Sequence, residues 1–154
     1  MKRRNGMKTR AAFRLVAIVV ALSAILSGCD LFKPSVSIAE RIALFQDDLN
    51  KADRSQTYLN FNPTLTQDYA SLKGYNWSTP FPLKGTGSAY SAAVTSQTDA
   101  SAVLVTIDGG PATYGGPKNY KLAMAVDSEN AKDWRIRTLS VGSGTPTTWT
   151  PLAK

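Results

Sequence analysis

Residues that carry out enzyme chemistry are few in this chain of 154 residues. It contains no histidine, and Cys29 is its single cysteine. One chain therefore cannot build a cysteine–histidine zinc site, a serine–histidine–aspartate triad or an internal disulfide. We predict no metal site and no cofactor. The groups left for acid–base chemistry in the folded part are carboxylates: Glu40, Asp47, Asp48, Asp53, Asp68, Asp99, Asp108, Asp127, Glu129 and Asp133.

These carboxylates lack the spacing of a recognisable catalytic or metal site. Asp47, Asp48 and Asp53 are close in sequence, but a solvated helix surface explains them better than a calcium-binding loop does. We expect Asp53 to cap the following helix, and Asp108 and Asp127 to accept local hydrogen bonds in turns. An acid–base mechanism would need a buried carboxylate with a raised pKa. We assign no catalytic residue.

Four aromatic residues are the main candidates for ligand binding: Tyr75, Trp77, Phe81 and Tyr90. Aromatic rings at the mouth of a pocket can stack on a sugar or another flat ligand. The same rings can instead close the open end of a sheet as part of the core. Two prolines flank Phe81 and exclude a central strand, so we predict an aromatic-rich crossing loop there.

Two other patterns suggest an anion site. Glycine pairs at positions 109–110 and 115–116 suggest a phosphate-binding loop, but the lysine, the glycine spacing and the following helix of such loops are missing. We therefore predict a flexible hairpin connection. Arg135 and Arg137 lie on one face of a predicted strand, where they either bind an anion or face water, and we favour water.

The segment before Cys29 has the composition of an export signal. Residues 1–14 carry basic and no acidic side chains, and residues 15–26 form an uncharged run that is too short to span a bilayer permanently. Leu26-Ser27-Gly28-Cys29 ends this run and resembles the lipobox of bacterial lipoproteins. The resemblance implies cleavage after residue 28 and a lipid on Cys29, which anchors an exported protein to the periplasmic or extracellular face of the cell membrane. The alternative is an uncleaved signal anchor with a free cysteine.

The basic character of the chain comes from this leader. The formal net charge of the whole chain is +7, and the six basic residues of the leader account for all but one unit of it. A nucleic-acid-binding protein needs a basic face in its folded domain. We therefore predict no nucleic-acid partner, and name the membrane and an unknown envelope ligand or protein as partners.

Hydrophobic periodicity predicts a helix at the start of the folded part. Ser37 and Glu40 have the spacing of a capping box, in which each side chain accepts a hydrogen bond from the other residue's backbone. An apolar stripe at helical spacing follows: Ile38, Ile42, Phe45 and Leu49. It predicts a helix that runs to about residue 53. The side chains off this stripe are expected to be solvated: Arg41, Gln46, Asp48 and Lys51.

Shorter elements and then strands follow. Residues 55–60 and 66–74 are predicted to be helical, the second ending at a left-handed Gly74. A period of two predicts four strands: 90–97, 102–108, 120–126 and 134–141. In the last strand, we expect Trp134, Ile136 and Thr138 to share one face. Short connections predict an antiparallel meander sheet.

Helices followed by strands predict an α+β fold, with the helices packed on one face of the sheet. The predicted organisation is a signal peptide (1–28), a lipidated cysteine with its tether (29–36), the α+β domain (37–142) and a flexible C-terminal tail (143–154). The alternative for this tail is that Trp149 packs back onto the domain.

Two stretches resemble nuclear transport factor 2-like domains, the superfamily that includes ketosteroid isomerase. They are residues 45–53 with the following Tyr58-Leu59, and residues 133–139, and the resemblance spans residues 37–141. It implies a curved antiparallel sheet wrapped around N-terminal helices, with a conical pocket between them. The alternative is a cystatin-like or another helix-on-sheet fold. Superfamily members often pair through the outer face of the sheet, which makes a homodimer one expected arrangement.

Such a fold does not by itself choose the function, because it serves enzymes, ligand binders and interaction modules alike. Isomerases of the superfamily use an aspartate base, often helped by a histidine, a tyrosine or a second acid, and this chain has no histidine. We therefore expect a non-catalytic binding or interaction module of the cell envelope. The alternative is a small-molecule isomerase or lyase that uses one buried aspartate as its base.

Overall fold

The computed structural model describes residues 35–143 and 147–154, which form one α+β unit. Its regular elements are α1 (Ile38–Asn50), a 3-10 helix (Thr57–Asn60), α2 (Tyr69–Leu72), β1 (Ser88–Gln97), β2 (Val103–Gly110), a second 3-10 helix (Ala112–Tyr114), β3 (Lys118–Asp127), β4 (Asn130–Ser143) and β5 (Thr148–Ala153). The five strands form a single antiparallel sheet in the order β1-β2-β3-β4-β5. The predicted α+β class and meander topology are thereby confirmed.

The predicted signal peptide, its lipobox and Cys29 lie outside the described residues, and so does most of the predicted tether. Within the described ranges, no helix combines the length and the apolar character that crossing a bilayer requires.

Helix α1 begins as its sequence predicts. The Ser37 hydroxyl accepts a hydrogen bond from the Glu40 backbone N–H, and the Glu40 carboxylate accepts one from the Ser37 N–H. Ile42, Phe45 and Leu49 are buried against the sheet. The helix ends at Asn50 rather than near residue 53, because the backbone of the following lysine is already extended.

The next two predicted helices are shorter than expected. Residues 55–60 yield only the 3-10 helix, and residues 66–74 only the single turn of α2. The chain between them is instead bound to β4. The Asn62 backbone N–H and the Thr66 hydroxyl both donate to the carbonyl of Ile136. Gly74 is not among the glycines with positive φ, so its predicted left-handed conformation is wrong.

A β-bulge in β4 corrects the predicted face assignment of that strand. Ala123 of β3 lies opposite Thr138, whereas the next residue, Met124, lies opposite Ile136, so Arg137 is the extra residue. The bulge shifts the alternation, and Ile136 and Leu139 both enter the core with no exposed surface. A strict period of two cannot predict this change of face.

The C-terminal segment was expected to be a flexible tail unless Trp149 packed back onto the domain. Residues 147–154 follow the second alternative, and residues 144–146 lie outside the described residues. Residues 148–153 form β5, which pairs with β4 and buries Ala153 opposite Leu139. The last residue is also bound: the Lys154 backbone N–H donates to the Asp68 carboxylate, and the Asp68 N–H donates to the Lys154 carbonyl. Backbone pairing and a buried side chain outweigh the turn-like composition of this segment.

The outer edge of β1 is partly covered by side chains of α1. The Asn50 side chain donates to the Tyr90 carbonyl at 2.9 Å and accepts from the Tyr90 N–H at 2.7 Å. The Gln46 side-chain carbonyl accepts from the Ala92 N–H at 2.7 Å. Two polar residues of the helix thus take the place of a further strand along this part of the edge, which satisfies the backbone groups there.

Candidate functional site

The four predicted ligand-binding aromatics are brought together, mostly inside the core. Trp77, Phe81 and Tyr90 are each at most 2% exposed, and only Tyr75 keeps part of its surface. The rings of Tyr75 and Trp77 lie 4.9 Å apart, and those of Phe81 and Tyr90 lie 6.0 Å apart, both edge to face. Three of the four rings therefore pack against other protein groups rather than border an open pocket, as expected for rings that close the end of the sheet.

Phe45 of α1 connects this aromatic cluster to the helix. Its ring contacts Phe61, Trp77 and Phe81 edge to face, at centroid distances between 5.9 and 6.1 Å. These rings pack in the space between α1 and the sheet. The indole N–H of Trp77 is a polar group inside this apolar cluster, and it is buried with no hydrogen-bond partner among the described residues.

Two buried tyrosines belong to the same cluster and were not singled out in the sequence. The hydroxyls of Tyr114 and Tyr120 lie 3.0 Å apart, and the Tyr114 hydroxyl donates to the Ile107 carbonyl at 3.2 Å. Burial raises the pKa of Tyr120 to about 12 and raises the pKa of Tyr114 further. The glycine pairs on either side of Tyr114 predicted only a flexible hairpin connection. The aromatic side chain between them is the sequence signal that indicates burial at this position.

A network of buried charges joins α1 to β3 and β4. Arg41 Nη2 lies 2.5 Å from Asp133 Oδ1, and Arg135 Nε lies 3.0 Å from both Asp133 Oδ2 and Asp127 Oδ2. Arg41, Asp127 and Asp133 are each 7% exposed. The expectations that Arg41 is solvated and that Arg135 faces water are therefore wrong, because carboxylates of the sheet pair with both guanidinium groups.

The network extends to the polar side of α1 through Asn60. The Arg41 guanidinium donates to Asn60 Oδ1, and the Asn60 amide donates to Asp48 Oδ2 at 2.7 Å. Lys51 pairs with the other oxygen of Asp48 at the surface. The two buried aspartates thus face two arginines. A general base needs a carboxylate that is free to contact the proton of a substrate. Both of these carboxylates are instead engaged in ion pairs with guanidinium groups.

The remaining carboxylates near turns and caps act locally. Asp108 accepts from the Gly109 N–H and Asp127 from the Glu129 N–H, which confirms the predicted turn bonds. Asp53 accepts from the Ser55 N–H, but the following 3-10 helix has Gln56 as its N-cap and no side-chain cap bond, so the predicted cap is wrong. The backbone hydrogen bond from Ser55 lowers the pKa of Asp53. In the described part of the chain, no three acidic, histidine or cysteine side chains gather closely enough to hold a metal ion.

Shallow surface grooves lined by described residues include the following two. One, of about 310 Å³, runs beside α1 and is lined by Ser35, Val36, Glu40, Ala43, Leu44 and Asp47. The other, of about 250 Å³, crosses the face of the sheet that α1 does not cover and is lined by Thr95, Leu104, Thr106, Asn119, Thr147 and Trp149. We call the second the outer-sheet groove. Neither groove was predicted from the sequence.

The outer-sheet groove depends on Gly142 of β4. Gly142 lies directly opposite Trp149, and a Cβ at this position would come within 3.0 Å of the six-membered part of the indole ring. The absence of a side chain lets the indole lie across β4. Trp149 is partly exposed there and borders the groove.

No family model matches the chain, and no curated protein or solved structure matches it.

Proposed function

We propose that the protein is a bacterial lipoprotein, anchored to the cell membrane through lipid on Cys29, whose α+β unit is a non-catalytic binding or interaction module of the cell envelope. The observation that carries this proposal is the sequence Leu26-Ser27-Gly28-Cys29, which directly follows an uncharged apolar run and holds the only cysteine of the chain. Each buried methylene contributes about 0.8 kcal/mol, so two acyl chains hold a protein at a membrane stably.

The chemistry of the folded unit supports a binding role. Its buried carboxylates, Asp127 and Asp133, pair with arginines, and its inner aromatic rings pack on one another. Recognition by such a unit uses surface residues, which need no tuned acid or base. The signal-like leader would place this surface outside the cytoplasmic membrane.

Metabolic labelling with an alkyne analogue of palmitate tests the anchor. We expect the full chain, produced in a bacterium, to incorporate the label and to fractionate with membranes. Cys29→Ser should lose the label, because the chain has no other thiol. Ser27→Ala is the matched control, because it keeps a small residue beside the cleavage point and should keep the label. Labelling that persists in Cys29→Ser, or wild-type protein without label, would contradict the proposal.

We also propose that the fold is a nuclear transport factor 2-like cone. The described unit supports this through its element order and its meander sheet, with α1 packed against the inner face of the sheet. Bulges in the β1–β2 and β3–β4 pairings give such a sheet places to bend. A crystal structure of the protein tests the proposal: superposition on superfamily members should align α1 and all five strands, whereas a flat sheet would refute it.

A further inference from the structure

The outer-sheet groove combines one aromatic side chain with several neutral polar ones. Trp149 and Leu104 supply apolar surface, while threonine and asparagine side chains supply hydroxyl and amide groups. An indole face packs well against the C–H groups of a pyranose ring, because it is large, rigid and apolar over most of its area.

The polar groups of the groove are arranged for a ligand that both donates and accepts hydrogen bonds. Thr106 donates to Asn119 Oδ1 at 2.8 Å, which fixes the amide group. The amide nitrogen of Asn119 has no partner among the described residues and remains a donor. Thr95 donates to the Leu104 carbonyl, which leaves the oxygen of its hydroxyl as an acceptor. Sugar hydroxyls match both kinds of group.

The charge of the groove selects among sugars. Among the described residues that line it, none is charged. Lys121, opposite Leu104 in the β2–β3 pairing, is the nearest cation identified by strand register. A neutral sugar therefore meets matching hydrogen-bonding groups and loses no favourable ionic hydration on binding, whereas an acidic sugar would lose part of its hydration in exchange for one lysine.

We propose that the outer-sheet groove binds a neutral carbohydrate chain, with a pyranose ring stacked on Trp149 and a sugar oxygen accepting a hydrogen bond from the Asn119 amide. This inference rests on the proposed role as a binding module of the cell envelope. It names the ligand class for the proposed binding module.

The test is a titration of the full chain, labelled with nitrogen-15 and kept in a detergent without a sugar headgroup. The probes are the tetramers of glucose and of N-acetylglucosamine, with tetragalacturonate as the acidic comparison. The chain has three tryptophans, so three indole N–H signals report binding. We expect a neutral tetramer to shift the Trp149 signal with a dissociation constant in the range of about 1 mM.

Two variants locate the binding. Trp149→Leu should abolish the sugar-induced shift of the Asn119 backbone amide signal, because it removes the ring on which the sugar stacks. Asn119→Ala should weaken binding about tenfold in the titration of the Trp149 signal, which corresponds to one lost hydrogen bond. Gln97→Ala is the matched control, because it removes an exposed amide of β1 that does not line the groove. Unchanged Trp77 and Trp134 signals in the free variants show that the fold is intact, and Asn119→Ala keeps the test decisive if Trp149→Leu unfolds β5.

Three outcomes would overturn the inference: no shift with either neutral tetramer at about 10 mM, a shift that Asn119→Ala leaves unchanged, or tighter binding of tetragalacturonate. The labelling experiment on Cys29 has an independent readout. Loss of the lipid anchor with retained sugar binding would remove the membrane location and leave the groove assignment standing, and the reverse result would refute only the groove.

Discussion

Arg41 lies on the side of α1 that the sequence pattern predicts to be solvated, yet it is buried. It is buried there because it forms an ion pair with Asp133 of β4. Removing one partner of a buried ion pair costs about 3 kcal/mol or more. Without Arg41, the Asp133 carboxylate keeps only the partly exposed Arg135, so we take the lower end of this range. We therefore expect Arg41→Leu to lower the free energy of unfolding of the full chain by about this amount in urea titrations. Lys51→Leu removes the exposed lysine paired with Asp48 and is the matched control, expected to change little.

The same pair offers a second check. The double variant Arg41→Leu with Asp133→Leu removes both charges together, and apolar replacement of a complete buried pair is often neutral. However, Arg135 then loses one of its two carboxylates and keeps Asp127. We expect the double variant to be more stable than Arg41→Leu alone. Equal or lower stability would show that Arg41 is not compensated chiefly by Asp133.

The buried tyrosines make stability sensitive to alkaline pH. The pKa of Tyr120 is raised by burial from 10.0 to about 12, and that of Tyr114 is raised in the same direction. A group whose pKa is higher in the folded state contributes stability that is fully present below its unfolded pKa. This contribution should be lost as the pH rises from about 10 towards 12.

The measurement is the free energy of unfolding as a function of pH, together with phenolate absorbance. We expect the wild-type chain to lose stability steeply above about pH 10, and Tyr120→Phe to lose it less steeply because one raised pKa is gone. Phenolate absorbance from the two buried rings should develop together with unfolding. An alkaline slope that is the same in Tyr120→Phe would refute this assignment.

At the scale of elements, the edge of β1 depends on two side chains of α1. Asn50→Ala leaves the N–H and C=O of Tyr90 without their partner, and an unsatisfied, partly buried backbone group costs about 1–3 kcal/mol. We expect faster hydrogen exchange at the Tyr90 amide and lower stability, with Gln46→Ala affecting the Ala92 amide instead. Gln97→Ala, at the exposed end of β1, should leave both amides protected. Uniform loss of protection in Asn50→Ala would indicate global unfolding rather than an opened edge.

Elements governed by local pattern could be predicted from the sequence. The capping box and apolar stripe located α1, and alternation located β2 and β3, because burial on one face follows directly from backbone periodicity. The predictions failed where a tertiary contact decided the outcome. The bulge at Arg137, the short α2 and the pairing of β5 each depend on a distant partner strand or side chain, which a single sequence does not display.

The candidate functional site was likewise predictable only where local sequence decided the outcome. Sequence composition identified the right aromatic residues as a group, but burial depends on how closely Phe45 and the sheet approach them. The ion pair between Arg41 and Asp133 joins residues far apart in sequence, so no spacing rule could predict it. The outer-sheet groove was missed because its residues come from three strands and the segment around β5, and only the register brings them together.

At the scale of the whole unit, β5 pairs with β4 at one edge of the sheet. A substitution in β5 therefore tests whether this strand unfolds cooperatively with the rest of the unit. Ala153 has no exposed surface, lies opposite Leu139 and precedes Lys154, whose N–H donates to the Asp68 carboxylate and whose carbonyl accepts from the Asp68 N–H. Ala153→Asp would bury an unpaired charge there, so we expect the full chain to lose about 3 kcal/mol or more of unfolding free energy in a single transition. Pro151→Asp places the same charge at an exposed position of the same strand and should cost little. If Ala153→Asp instead gave a separate early transition that released only β5, this strand would unfold independently of the cooperative core. The outer-sheet groove beside Trp149 would then be lost without unfolding of the domain.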